Sequence, residues 1–260
     1  MELGLSLLFL LSKPLREALR VLPRARELGV TVVELVDEGP HHLDGRRLRM
    51  VKKALSDHDL SVAIHAPFVD MNIGSPHEPT RRFMMKRHFR SMEMAHELEA
   101  RAWVFHPGLL SGLSLFSPGV EWSCCLRSVR ELYAKAEELG LDIFLENGTE
   151  PVPFLLKKVE DFKAFFSELE DLEVGLALDL GHAKLCGQVE AFIEAFPDRI
   201  GHVHIHDNDG RSDLHLGLGS SDTDWEAVVS RLKEVGYKGP LVVESVEGVW
   251  ESLSFLKPLL

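Results

Sequence analysis

Three histidines, His202, His204 and His206, alternate along the run HVHIHD, and Asp213 and His215 follow in the loop that leads to Trp225. Strand alternation would place the three imidazoles on one face, with a carboxylate and a further imidazole arriving from the loop. Imidazole and carboxylate donors together suit zinc, manganese or iron. A single histidine in a strand is often no more than a packed core residue. Several histidines and aspartates within one short stretch strain that reading.

The same residue types recur where other apolar runs end. His65 closes IHAP, His106 FHPG, Glu146 FLENG, Asp179 and His182 LDLGH, and Glu244 VVES. A lone carboxylate at a strand end is commonly a salt-bridge partner or the cap of the next helix. Repetition of the pattern along the chain predicts a metal centre, because burying so many carboxylates bare is costly. Other polar residues invite blander readings. His58, His88 and His96 lie in helical patterns and are expected at the solvent. His202 is expected to fill a lower layer, and His41, His42 and His77 read as solvated loop residues. Glu34 in VVELV, His206 and Arg211 are candidates to touch a substrate, with His206 or Arg211 orienting hydroxyls or a phosphate. The basic runs GRRLRMVKK from Gly45 and RRFMMKRHFR from Arg81 read as solvated helix faces, although both begin where a phosphate could be held.

Residues so far apart in sequence converge only if the fold brings their strands to one rim. Short β-rich runs alternate with helical patterns throughout: GLSLLFL, a helix over roughly Leu15 to Leu28, TVVELV, and a helix from about Asp44 to Ser56. SVAIHA, RAWVFH, LDIFLE, VGLALD, IGHVHIH and PLVVES continue the series, completing eight strand–helix units. Eight such units predict an α/β fold, a closed (β/α)8 TIM barrel whose strand C-termini share one rim. The longest loops follow the third, fourth and seventh strands, and loops on that rim are where barrel enzymes keep their sites. No linker divides the chain, so residues 1–260 read as one domain.

Composition agrees. A hydrophobic content of 45% supplies one continuous core, and a net charge of −12 argues against broad binding to nucleic acid or acidic lipid. Cys124, Cys125 and Cys186 match neither a disulfide framework nor a zinc-finger spacing. The apolar opening Leu3 to Leu11 lacks a basic start and a small-residue cleavage site, and reads as a buried strand rather than a signal peptide. No run is long enough to span a bilayer. A soluble, cytoplasmic protein is expected, with no membrane partner.

On these residues the sequence resembles the xylose isomerase-like TIM-barrel superfamily, which holds endonuclease IV and many sugar isomerases and epimerases. The likeness spans nearly the whole chain. Endonuclease IV is known for a trinuclear zinc site, and its ligand motifs fall on His65, His106, Glu146, Asp179, His182, His204, Asp213, His215 and Glu244. The resemblance implies that Glu146 bridges two metals, with His65 and His106 completing one and Asp179, His204 and Glu244 the other. His182, Asp213 and His215 would hold a third. The sugar-isomerase branch is similar in another stretch, since DLHLGLGSSDTDW resembles its Asp-x-His-Leu-Pro-Leu-Gly-x-Gly-x-x-Asp-Trp loop. Gly217 replaces the proline, and Ser220-Ser221 the usual Glu-Gly.

The first functional expectation is a divalent-metal-dependent sugar or sugar-phosphate isomerase or epimerase. Glu146 and Glu244 would exchange a proton beside a carbonyl polarised by zinc, manganese or iron, with about one to three ions per chain. The alternative is an endonuclease IV-like phosphodiesterase acting on abasic DNA. The nine-ligand set favours the phosphodiesterase, and Phe68 offers an aromatic wedge. The second loop, VDEGPHHLDG, is acidic and has no evident DNA-reading arginine, which favours a small substrate over nucleic acid.

Overall fold

The computed structural model describes all residues from Met1 to Leu260. Eight strands close into one parallel barrel in sequence order, β1 pairing with both β2 and β8. They are β1 Glu2–Ser6, β2 Val32–Val36, β3 Ser61–His65, β4 Trp103–Phe105, β5 Ile143–Glu146, β6 Gly175–Asp179, β7 Ile200–Ile205 and β8 Pro240–Val243. The surrounding helices are α1 Leu15–Ala18, α2 Leu22–Glu27, α3 Gly45–His58, α4 Glu78–Glu97, α5 Val120–Leu139, α6 Val159–Ser167, α7 Leu180–Leu185, α8 Val189–Ala195, α9 Trp225–Glu234 and α10 Val249–Leu256. No helix is long and apolar enough to cross a membrane.

Parallel strands covered on both faces read as continuous apolar runs, and β2 is buried at every position. The outer faces and the helices share one core cluster of 60 buried residues. Inside the barrel, Val32, Ala63 and Ala102 meet Phe144 at the lower end. His202 stacks on Phe144 with ring centroids 6.4 Å apart, as expected for a lower layer. A band of polar side chains follows toward the opposite rim.

Several elements differ from the sequence reading. β1 stops at Ser6, and Leu8–Leu10 form a 3-10 turn. The expected helix from Leu15 to Leu28 is broken by a 3-10 turn at Leu19–Val21. Pro23 has no N–H to return to the Leu19 carbonyl, so one continuous helix would lose that bond. The segment after β5, residues 147–158, is as extensive as the one after β3, residues 66–77.

Three side chains expected at the solvent or in an open acidic loop are enclosed. His88 is buried, edge-on to Trp103 at 5.4 Å. His41 is buried too, its Nε2 3.1 Å from the Lys13 carbonyl. Asp37 accepts from the Leu43 amide at 2.6 Å and from Arg87 at 2.9 Å. The other loop acids are also engaged: Glu38 accepts from the Phe68 and Val69 amides, and Asp44 caps α3 through the Arg46 and Arg47 amides. The acidity of this loop is therefore spent within the fold. The same holds for much of the basic runs, with Arg81 and Arg82 paired to Glu78, Arg87 to Asp37 and Lys53 to Asp57.

Candidate metal centre

The rim brings all nine motif residues together in three adjoining groups. Within each, donor atoms lie within 4.8 Å of one another: His65, His106 and Glu146; Glu146, Asp179, His204 and Glu244; and His182, His206, Asp213 and His215. Glu146 belongs to the first two. One of its oxygens, Oε2, lies 3.3 Å from His65 Nε2 and 2.9 Å from His106 Nε2. The other, Oε1, lies 3.0 Å from His204 Nδ1.

The rings are held so that one nitrogen faces this cluster. His65 Nδ1 lies 2.9 Å from the Ala66 carbonyl, His182 Nδ1 2.8 Å from the Asn147 carbonyl, and His215 Nδ1 2.9 Å from the Glu244 carbonyl. A carbonyl only accepts, so each Nδ1 carries the proton and donates it. Nε2 is thereby turned toward Glu146 for His65 and toward Asp213 for His182 and His215. Ring N–H groups anchored on carbonyls or carboxylates are the usual outer support of metal-binding histidines. His204 is oriented the other way, with Nε2 3.0 Å from Glu34 Oε2 and Nδ1 toward the cluster.

Local backbone geometry serves the same end. Asp179 caps α7 by accepting from the His182 amide at 2.7 Å, which fixes the two side chains of LDLGH relative to each other. A Cβ at Gly181 would overlap the His206 ring. His215 sits at φ 48°, a left-handed conformation rare for a side-chain-bearing residue, and its carbonyl accepts from the Val246 amide at 2.7 Å.

Electrostatics explain how the cluster is tolerated. Burial opposes every charge here, but the imidazoles of His182 and His206 bring Asp179 down to about 2. Burial likewise opposes the His182 imidazolium, yet Asp179 and Asp213 push it up to about 10. His65 and His215 rise to about 9 against burial, chiefly through Glu146 and Asp213 respectively. Against the same burial, Glu146 is held well below the carboxylate range by His106 and His204, and Asp213 is held low by His182 and His215. Interleaved imidazoles thus replace the bare mutual repulsion expected of clustered carboxylates. The donor set fits divalent metal, with three pre-aimed Nε2 atoms, converging carboxylates, and Asp213 Oδ1 buried without a hydrogen-bond partner.

A cavity of about 380 Å³ opens on the cluster. His65, His106, Glu146, His182, Asp213, His215 and Glu244 reach its lining. The three residues read as substrate contacts do not. Glu34 is wholly buried beneath, where one oxygen, Oε2, lies 2.9 Å from His202 and 3.0 Å from His204. His206 is fully buried behind Asp179, 3.2 Å away, and stacks on His215 at 3.9 Å. Arg211 is exposed, outside the lining, and only its backbone amide is bonded, to Asp209. A larger surface depression of about 590 Å³, lined by Glu2, Arg26 and Asp59, lies away from these groups at the other end of the barrel.

The sequence reading passed over Asn147 and Phe154. Asn147 donates to the Asp179 carbonyl at 3.0 Å and accepts from its amide at 2.8 Å, locking β5 to β6 under the cluster. It stands beside Glu146 in FLENG, so the signal was present. Phe154 stands edge-on to His106 at 5.5 Å and lines the cavity, in a loop without any chemical motif.

Comparison with known proteins follows this geometry. The family described as xylose isomerase-like TIM barrel matches residues 22–259. The chain belongs to that family. Within it, the chain is similar to fructoselysine 3-epimerase of Escherichia coli O157:H7, 24% identical over 85% of this chain and 83% of that one. It is also similar to a probable endonuclease 4 of Aquifex aeolicus, 23% identical over 83% of each chain. Among solved structures, a D-tagatose 3-epimerase-like protein superposes with a TM-score of 0.90 at 26% identity, covering 100% of this chain and 97% of that one. This family resemblance supports an enzyme of the sugar isomerase and epimerase kind.

Proposed function

We propose that the protein is a divalent-metal-dependent ketose epimerase or isomerase. The observation that carries this reading is that Glu146 and Glu244 both line one cavity and flank one ring, His204 Nδ1 lying 3.0 Å from the former and 3.5 Å from the latter. Glu146, Asp179, His204 and Glu244 would hold a zinc, manganese or iron ion, whose charge would polarise a substrate carbonyl and stabilise negative charge on its oxygen. One glutamate takes the proton from the carbon beside the carbonyl, and the other returns a proton to the opposite face. Each carboxylate therefore acts as base in one direction and acid in the reverse, with no net proton gained or lost. The apolar residues of the lining exclude water while the carbanion exists.

Solvent-deuterium incorporation tests the mechanism. Metal-loaded protein should label a responsive ketose at the exchanging carbon. Glu146→Gln and Glu244→Gln, with metal content checked, should each lower the rate of net epimerisation by about 10²–10⁴-fold, while labelling through the remaining glutamate persists for the epimer whose proton faces it. A metal-loaded Glu244→Gln variant that still interconverts the two epimers at the wild-type rate would sink the two-base scheme.

One observation favours a second reading. The three donor groups have the composition of a trinuclear centre, as a phosphodiesterase acting on abasic DNA would need. Incision of an abasic duplex by the metal-loaded protein, without deuterium exchange into any ketose, would replace the first reading with this one.

A further inference from the structure

The cavity is chemically two-sided. Carboxylates and imidazoles occupy one side, and Phe68, Met71, Leu109, Val152 and Phe154 form the other. No lysine or arginine lines it, and Thr149 carries its only hydroxyl, which donates to the Glu150 carbonyl.

The apolar side is a built wall. Leu109 and Phe154 pair as an antiparallel bridge, flanked by Leu110 N–H to the Pro153 carbonyl and Leu155 N–H to the Gly108 carbonyl, both 2.8 Å. Asn72 grips the same strand from the loop after β3, accepting from the Leu109 amide at 2.8 Å and donating to its carbonyl at 3.1 Å. Gly108 lies so close to Gly74 that a Cβ would come within 2.8 Å of its backbone. Three loops are thus joined, two through their backbones and the third through the Asn72 side chain, and the apolar side chains they present are fixed before any ligand arrives. Phe68 edge-on to His65 at 5.6 Å, and Phe154 edge-on to His106, tie this wall to the polar side.

We infer that the site takes an uncharged ketose-type substrate bearing an apolar group at the end remote from the carboxylates, and discriminates against sugar phosphates. The inference rests on the epimerase reading, which sets the keto end between Glu146 and Glu244. The far end of the carbon chain then meets the wall. A phosphate dianion there loses hydration and finds neither a cation nor a free donor among the side chains of the wall, the imidazoles lying on the opposite side, whereas a methyl or aryl group gains by leaving water. The basic helices offer no remedy, since Arg81, Arg82 and Arg87 are committed to Glu78 and Asp37.

The test uses the whole, metal-loaded protein and four ketohexoses (fructose, tagatose, psicose and sorbose), each as free sugar, 6-deoxy sugar and 6-phosphate. Deuterium incorporation gives kcat/KM for each compound, and calorimetry gives its binding. The 6-deoxy form of the best sugar should match or exceed the free sugar, and the 6-phosphate should fall at least tenfold below it in both measurements. Val152→Lys should narrow the gap by raising the phosphate and lowering the deoxy sugar. A phosphate that binds and exchanges as well as its free sugar overturns the inference and leaves the epimerase reading standing. Absence of exchange into all twelve compounds overturns the epimerase reading, and the inference with it.

Discussion

Glu34 lies one side chain away from the cavity and yet holds the ring that faces it. Its oxygen receives His204 Nε2 and stands beside His202 Nε2, in a layer with no exposure at all. The carboxylate fixes which nitrogen of His204 turns toward Glu146, a supporting role rather than contact with substrate. Replacing Glu34 with Gln should weaken metal affinity about 10–100-fold. Competition against a chelator of known affinity measures this, and an unchanged affinity would mean that packing alone orients His204. A different residue adds to the acid sensitivity of the fold. Burial against Trp103 pushes His88 down to about 3, so the folded protein leaves it neutral while the unfolded chain protonates it near pH 6.5. Between those values the unfolded state binds the extra proton, and stability falls as pH is lowered, at up to about 1.4 kcal/mol per pH unit. Denaturant midpoints at pH 7 and pH 5 should therefore differ less in His88→Leu than in the parent; equal differences would assign the acid sensitivity elsewhere.

Elements were legible in sequence where their signals were local. Six of the eight strands announced themselves as apolar runs ending in His, Asp or Glu, because both faces are covered and only the rim needs chemistry. The helix expected from about Asp44 likewise begins at Gly45, with Asp44 as its cap. Features that depend on partners far along the chain could not be read. His88 looks like a surface residue of a charged helix until Trp103, from the next strand, covers it. Asp37 looks like open acidity until Arg87 reaches it from α4. His206 and Glu34 have the residue types of substrate ligands, but only the stacking of strands shows that each faces a neighbour instead. The loop after β5 carries no catalytic motif, so its share of the cavity was invisible. Within it Gly148 has a specific duty: a Cβ there would stand 2.5 Å from Phe154. Gly148→Ala should displace Phe154 from His106 and destabilise the protein by ~1–3 kcal/mol, read as a lower denaturant midpoint. A midpoint within error of the parent would show that the loop yields at no cost.

At the scale of the whole molecule, the rim above the barrel has two lips fastened by separate means. Loops after β3, β4 and β5 are stitched through Asn72, Leu109 and Phe154. The long loop after β7 is fastened elsewhere, by the Asp207–Leu216 bridge and by Lys184, which donates to Asp207 at 2.9 Å and to Ser221. His65 and His106 come from the first lip, His182, Asp213 and His215 from the second side, and Glu146 stands between them. Chelation of the metal-loaded protein should accordingly speed amide hydrogen exchange in residues 207–221 while leaving the strand amides slow. Equal protection with and without chelator would show that the lips are independent of the centre. A metal held by groups from both lips would matter to the mouth as well as to the chemistry. Its removal would loosen the edge that carries Asp213 and His215, while the stitched apolar edge would stay in place, so that only one jamb of the doorway would give.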